Sequence, residues 1–398
     1  MQDLIIFILL GVFVGVLTGL LPGLHPNNVT ALLISFLPLL LCYLTPLQLL
    51  TFAVSLFVTH SFTSFVASVV FGIPEEANAL SVLPSHRMVL NGKGYEAVYL
   101  TVLGGVLSVI YTVTILPILL NFFKLLYELI IRHLLVFLIV FLAYSILSQK
   151  NKLKAVFVTA LSGLFGYIVL NIYYLKSYEK LTAMFSGMFG ASFIVVSLFT
   201  KSRIPEQNFD INVDRLYIKE SLLGTFGAIF TSLFPSLSPS QSIAIIQRLF
   251  RVKGTEEFLV MVGALTTADV VVSLVALYTF GNPRSGLSAF VQFLFSNLRF
   301  ETLMFLIGVV LISLSLSSVV TILIAKGVIR TIQRISYIYL NVLILIFLIF
   351  IIYIFSGCVG VVIFVTSVCL GTVTILLDVN VSLLISVLMI PLIINLLF

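Results

Sequence analysis

The sequence predicts an all-α polytopic membrane protein, and three observations carry that prediction. Of the 398 residues, 61% are hydrophobic and only 9% are charged, against about 25% charged in an average soluble domain. Mean hydropathy is +1.24. The apolar residues come in unbroken runs rather than in alternation, which excludes a barrel, the other way to satisfy backbone polar groups in hydrocarbon. With 21 basic and 15 acidic residues in all, the chain has too little charge to clothe a water-soluble surface, so lipid must solvate most of the exterior.

The first run, "MQDLIIFILLGVFVGVL", has no basic leader and no small-residue cleavage site, so it reads as a retained first span over 4–21. Six more runs follow at 27–43, 47–72, 95–120, 126–148, 155–175 and 181–200. A polar linker, "KSRIPEQNFDINVDRLYIKE", then fills 201–220 with eight charged residues. Beyond it lie runs at 221–235, 239–250, 256–280, 302–325, 335–355, 357–377 and 380–398, with a weaker segment at 286–298. Crossing the hydrocarbon takes about 20 helical residues, so the runs beginning near 27 and 239 are short and read as half-crossings.

Placing the N-terminus outside puts the basic residues of 87–93, 150–154, 201–219, 248–253 and 326–334 in the cytoplasm, 15 of the 21. The N-terminus is therefore expected to be extracytoplasmic. The net charge of +6 is dispersed over these short loops, which reads as topogenic charge and not as a nucleic-acid surface. Cys42, Cys358 and Cys369 all fall in apolar segments and are read as packing residues.

The chain repeats itself. "GVFVGVLTGLLPGLHPNNVTALL" from Gly11 aligns with "GTFGAIFTSLFPSLSPSQSIAII" from Gly224, setting Pro22 against Pro235 and Pro26 against Pro239 at an offset of 213. "FGIPEEANALS" at 71–81 aligns with "FGNPRSGLSAF" at 280–290, setting Pro74 against Pro283 at an offset of 209. The domain organisation is thus a first membrane repeat over 1–200, a cytoplasmic linker over 201–220 and a second repeat over 221–398. Seven segments separate equivalent positions, or five crossings if 4–43 forms a re-entrant hairpin. Both numbers are odd, so the halves are expected to be two inverted-topology repeats with broken or re-entrant helices.

Each breaker has a bland reading and a functional one. Pro22 and Pro26 stop a helix, and Asn27 or Asn28 suits the cap of the next. One such motif is satisfied by an ordinary turn at the membrane surface. Two at corresponding points of inverted halves point to a substrate site at the repeat interface, where helix N-termini meet an anion. The candidate substrate residues are Pro22, Gly23, His25, Asn27 and Asn28 in the first half, with Pro235, Ser236, Ser238, Ser240 and Gln241 in the second. The second pair of breakers adds Gly72 and Pro74, followed by Glu75 and Glu76, and Gly281 and Pro283, followed by Arg284 and Ser285. Simple helix capping also accounts for charge just after a proline.

His60 and Asp269 lie in mid-segment, in "SLFVTHSFTSFVASVV" and "VMVGALTTADVVVSLV", and the 209 offset makes them equivalent. An ionisable group inside a membrane span is costly and marks a functional site by default, although a lone histidine there can be a satisfied packing residue. With Thr63, Ser64, Thr266 and Thr267 beside them, they form the candidate coupling-ion or proton position. Gly11, Gly15 and Gly19 share one helix face and read as helix packing. His25, His60, His86 and His133 are too dispersed for a metal site. The sequence has no nucleotide loop, serine elbow or zinc-protease helix.

The stretches "GVLTGLLPGLHPNNVTALLISFLP" and "FGIPEEANALSVLPSHRMVLNGKGYEAV" resemble TctA, the large permease subunit of tripartite tricarboxylate transporters. The order of motifs covers most of the chain, and the duplication fits that family. The chain departs from the pattern at Glu75 and Arg284, where the family has glycine, at Phe234, Pro235 and Ser236, which replace a second Leu-Pro-Gly, and at "LPSHRMVLNGKG", which replaces an aspartate-containing element. It reads as a divergent member. The resemblance implies ion-driven secondary uptake of a small organic anion of the carboxylate class, with a small membrane subunit and an extracytoplasmic binding protein as partners.

The sequence therefore predicts a secondary transporter in the cell membrane, with no cofactor beyond sodium or a proton as coupling ion. Its partners would be the lipid bilayer and a small anionic metabolite, not nucleic acid, and a homodimer is left open. The rival readings are a non-transporting scaffold or sensor on the same fold, and an intramembrane enzyme using His60 and Asp269 as acid and base. The latter lacks any nucleophile constellation.

Overall fold

The structure is a computed structural model that describes residues 2–21, 26–71, 82–198, 205–211, 213, 215–234, 239–295, 297–332 and 337–397. Among these residues there are helices and no strands. The first half runs α1 (Gln2–Leu20), α2 (Pro26–Leu40), α3 (Pro46–Phe71), α4 (Val82–Leu90), α5 (Gly94–Thr114), α6 (Leu116–Arg132), α7 (Leu134–Leu147), α8 (Lys152–Leu170) and α9 (Ser177–Phe185). A π-helical stretch (Ser186–Ala191) joins α9 to α10 (Ser192–Leu198). The second half runs α11 (Ile218–Leu233), α12 (Pro239–Leu249), α13 (Thr255–Phe280), α14 (Gly286–Leu294), α15 (Phe300–Ile332), α16 (Tyr337–Leu376), a 3-10 turn (Val381–Ile385) and α17 (Ser386–Leu397).

Eight helices among the described residues are long and apolar enough to cross a membrane, or nine if a bent pair counts as one span. The bent pair is α6 and α7, which meet at 74°. Apolar runs at 95–120 and 126–148 gave no sign of where these helices break. Pro117 ends α5 early, because it has no N–H to donate and its ring crowds the carbonyl four residues back. The second break falls at His133, whose φ of −114° and ψ of 15° leave the helical region. From Tyr337 to Leu376 the last two long runs before 380 form the two arms of α16, kinked at Gly357 with φ 61° and ψ −161°. The short segments are short helices: 15 residues in α2 and 11 in α12 give about 22 and 16 Å at 1.5 Å per residue, less than the hydrocarbon thickness.

Burial identifies the centre. Of the span in α3, 89% is buried, and of that in α13, 94%, against 22% for α16. A helix apolar on all sides and buried on all sides belongs in the middle of a bundle, whereas α16 is apolar because lipid covers it. The centre is built by reciprocal packing. α1 lies on α3 and α11 on α13, while α5 lies on α13 and α15 on α3.

The same contacts recur at the sequence offset. A Cβ on Gly11 would collide with Ser55 and the backbone of Phe52 and Leu56, and one on Gly224 with Ala264 and the backbone of Met261 and Leu265. The three partners of each glycine are 209 positions apart. Likewise Gly104 of α5 abuts Ala264 of α13, and Ser313 of α15 donates to Ser55 of α3 at 2.8 Å. Small residues let these backbones approach, the usual way membrane helices bind without a hydrophobic driving force between them.

The linker is strapped to the bundle. Gln207 is buried; its Oε1 accepts from the Gly94 N–H at 2.9 Å and its Nε2 donates to the Val89 carbonyl at 2.6 Å. The Asn208 N–H donates to the Gly92 carbonyl at 2.7 Å. Phe209 packs tilted on Tyr95, and the Arg330 guanidinium lies 5.1 Å from its ring centre. Further on, Arg215 pairs with Glu257 at 2.6 Å, and the Tyr217 hydroxyl donates to Glu256. Burial and the Glu256 hydrogen bond push the Tyr217 phenol up to about 12.

Candidate functional site

The central helices carry hydroxyls at four-residue intervals, and that spacing puts them in one stripe along a helix. On α3 the stripe is Ser55, Thr59 and Thr63, and on α15 it is Ser313, Ser317 and Thr321. The stripes meet: besides the Ser55–Ser313 pair, the Thr59 and Ser317 hydroxyls lie 2.7 Å apart. One turn on, Thr321 is fully buried and its hydroxyl has no hydrogen-bond partner among the described residues. Thr63 sits beside it in register and points its hydroxyl the other way, towards α1, donating to the Gly15 carbonyl at 3.1 Å and the Thr59 carbonyl at 2.9 Å.

His60 enters the same network from the neighbouring face of α3. It is 2% exposed, and its Nδ1 lies 3.1 Å from Thr18 Oγ1. Thr18 in turn donates to the Gly15 carbonyl at 3.2 Å. With the Thr18 proton on that carbonyl, its lone pair is free to accept an Nδ1–H of His60; the tautomer decides which of the two atoms donates. Hydrogen bonds thus connect His60 through Thr18, the Gly15 carbonyl and Thr63 to the Thr59 carbonyl, and the hydroxyl of the same Thr59 meets Ser317. The network offers several oxygen acceptors and one titratable nitrogen in the most buried region of the protein.

Asp269 occupies the equivalent place on α13, half-buried. Thr267 is buried, with no hydrogen-bond partner for its hydroxyl among the described residues, and stands where a Cβ on Gly105 would touch both it and the Phe62 ring. Thr266 is bonded within its own helix, to the Val262 carbonyl at 3.0 Å. Ser64 is buried. The ion-coupling candidates therefore share the central helix pair, with His60 and Thr63 in one hydrogen-bonded path.

The substrate candidates divide. Pro22, Gly23, His25, Gly72, Pro74, Pro235, Ser236 and Ser238 lie outside the described residues, as do Glu75 and Glu76. Asn27 and Asn28 fall in the first turn of α2, and Ser240 and Gln241 in the first turn of α12. Gly281 ends α13 with a φ of 72°, a left-handed conformation that suits glycine. The chain then turns back through Pro283, and Ser285 caps α14, its hydroxyl accepting from the Ser288 N–H at 3.2 Å.

Two side-chain bonds fix the depth of this turn. Ser285 Oγ donates to Ser273 Oγ at 2.8 Å, and Gln292 Nε2 donates to the Gly281 carbonyl at 2.8 Å. Ser273 lies seven residues before the end of α13, about 10 Å along its axis. Residues 281–294 thus dip alongside α13 and return. α14 packs on α2, so a helix that follows a breaker of one half lies on a helix that follows a breaker of the other.

Sequence reasoning missed Thr18, Ser313, Ser317 and Thr321. The four-residue hydroxyl spacing in two separate spans was the available signal, and only packing shows that the two stripes face each other.

Buried ionisable and hydroxyl groups at the centre of a multi-span helical bundle, bordered by half-length helices, are the architecture of a multi-pass membrane transport protein of the permease type. The chain belongs to the tripartite tricarboxylate transporter TctA family, whose family model matches residues 5–386. It is similar to an uncharacterized protein of Methanocaldococcus jannaschii, 29% identical over 396 residues, which is 97% of this chain and 97% of the relative. No solved structure matches the chain.

Proposed function

We propose that the protein is an ion-coupled secondary transporter that carries a small organic anion of the carboxylate class across the cell membrane. The observation that carries this reading is the central pair, α3 and α13, each with an ionisable side chain at the same sequence-equivalent point. His60, with its hydroxyl path, and Asp269 serve sodium or a proton; the breaker segments at 22–28 and 235–241, with the 72–74 and 281–283 turns, serve the anion. Inverted repeats are supported by the linker: the start of α5 is held by Gln207 and the end of α15 reaches Phe209, two residues away. Since α5 and α15 are equivalent at the 209 offset, they run in opposite senses from one face of the bundle. Movement of one half against the other would then expose the site alternately.

The same linker contacts, with Arg215–Glu257 and Arg248–Ser148 at 2.7 Å, gather the charge-bearing loops. This supports a cytoplasmic linker and an extracytoplasmic N-terminus. Family membership supports a small membrane subunit and a binding protein as partners. The test is uptake of labelled mono-, di- and tricarboxylates into proteoliposomes under a sodium or a proton gradient. Gradient-driven uptake is expected, with large losses in His60→Ala and Asp269→Asn. No uptake of any carboxylate would favour the scaffold reading, and full activity in both variants would remove the ion role from this pair.

A further inference from the structure

The 281–285 turn carries an arginine that no acidic side chain among the described residues answers. The Arg284 guanidinium lies over two aromatic rings, with its central carbon 5.0 Å from the Tyr127 ring centre and 5.6 Å from that of Phe280. These rings stack on each other at 4.0 Å and 6°, and Asn282 Nδ2 donates to the Tyr127 hydroxyl at 3.0 Å, fixing the shelf on the turn. Ring faces attract a cation but accept none of its in-plane N–H bonds. Among the described residues, Nε and Nη2 of Arg284 are both sealed from solvent without a hydrogen-bond partner, and no acidic side chain pairs with it.

The guanidinium is half-buried, and two charged donors held away from water without an acceptor are costly; a structure retains them where an acceptor arrives from outside. Guanidinium presents parallel N–H donors that match the two oxygens of a carboxylate, with charge and geometry satisfied together. The position fits as well: Arg284 is the residue before Ser285, whose bond to Ser273 sets the inner point of the turn, and Ser273 is one helical turn from Asp269.

We propose that Arg284 is the anchor for a carboxylate group of the transported anion, its Nε and Nη2 donating to the two carboxylate oxygens. The inference rests on the carrier reading above and assigns its anion site a specificity-determining residue. Two halves that otherwise repeat differ here, since the position equivalent to Arg284 is Glu75, and the cationic anchor is therefore single.

The test measures thermal stabilisation of the purified, detergent-solubilised protein by acetate, succinate and citrate, in wild type, Arg284→Gln and Arg284→Lys. A ligand that binds only the folded state raises the melting temperature. Wild type is expected to be stabilised by at least one of the three. Arg284→Gln is expected to bind it at least about tenfold more weakly, and Arg284→Lys to fall between, keeping the charge and losing the fork. The ligand-free melting temperature of Arg284→Gln is expected to hold or rise, because an unpaired cation is gone. An arginine that only packs on the rings would give the reverse pattern: a lower ligand-free melting temperature and an unchanged ligand shift, which overturns the proposal. If wild type binds no carboxylate, the proposal and the carrier reading fall together; if wild type and Arg284→Gln bind alike, only the anchor falls.

Discussion

One close contact between the two halves makes a quantitative prediction. Gly104 of α5 meets α13 so tightly that a Cβ added there would lie 2.9 Å from the Val260 carbonyl carbon and 3.1 Å from the Ala264 nitrogen. Carbon atoms rest at about 3.5–4.0 Å, so one methyl must push the helices apart by roughly half an ångström or more. The obstacle is backbone and cannot rotate away. Overpacking of this kind costs about 1–3 kcal/mol, and Gly104→Ala should lose that much. Gly308 of α15 is the control: its Cβ would find nothing within 4 Å, and alanine there should gain about 0.5–1 kcal/mol through helix propensity alone. Two one-methyl insertions into membrane helices should thus shift stability in opposite directions. Reversible unfolding in mixed micelles reads both. Equal stability of Gly104→Ala and wild type would refute the close packing of α5 on α13.

Three further outcomes follow from individual contacts. A double-mutant cycle of Thr59→Val and Ser317→Ala should give a coupling of about 0.6 kcal/mol, typical of a membrane hydrogen bond, because Thr59 keeps its bond to the Ser55 carbonyl at 2.8 Å; zero coupling would separate the two stripes. Gln207→Ala strands the Gly94 N–H, while the Val89 carbonyl keeps its bond from the Gly92 N–H at 3.0 Å, so it should cost about 1–3 kcal/mol and speed limited proteolysis within 205–211, whereas unchanged cleavage would mean the strap is not held there. Tyr217, raised from 10.0 to about 12, favours its protonated form when folded. Its contribution is complete below pH 10 and is lost as pH rises towards 12; in the difference spectrum between wild type and Tyr217→Phe, phenolate should appear late, and ionisation at the ordinary value would contradict the burial.

The residues that made the protein legible as a sequence are those whose effect is local. Pro26 and Pro239 start helices wherever they stand, and α2 and α12 begin at these residues. His60 and Asp269 stand out in apolar runs before any partner is known. Apolar composition was a poorer guide to helix ends: α6 and α7 lie in runs that hydropathy alone could not divide, because the bend at His133 leaves the pattern of apolar residues unchanged. Arg284 was visible as a departure from the repeat, but its aromatic shelf was not, since Tyr127 is 157 positions away.

The sequence by itself determined the solvent of this protein, its helical class and the correspondence of its halves, because burial cost, backbone satisfaction and repeat spacing are properties read along the chain. Tertiary structure alone decided that the hydroxyls of α3 face those of α15, that Gln207 holds the linker to the α4–α5 turn, and that Arg284 lies on Tyr127 with no counter-charge among the described residues. Each of these joins residues more than 100 positions apart. Many faces of an apolar helix are equally suited to packing, and only the fit of small residues against a particular backbone selects one of them.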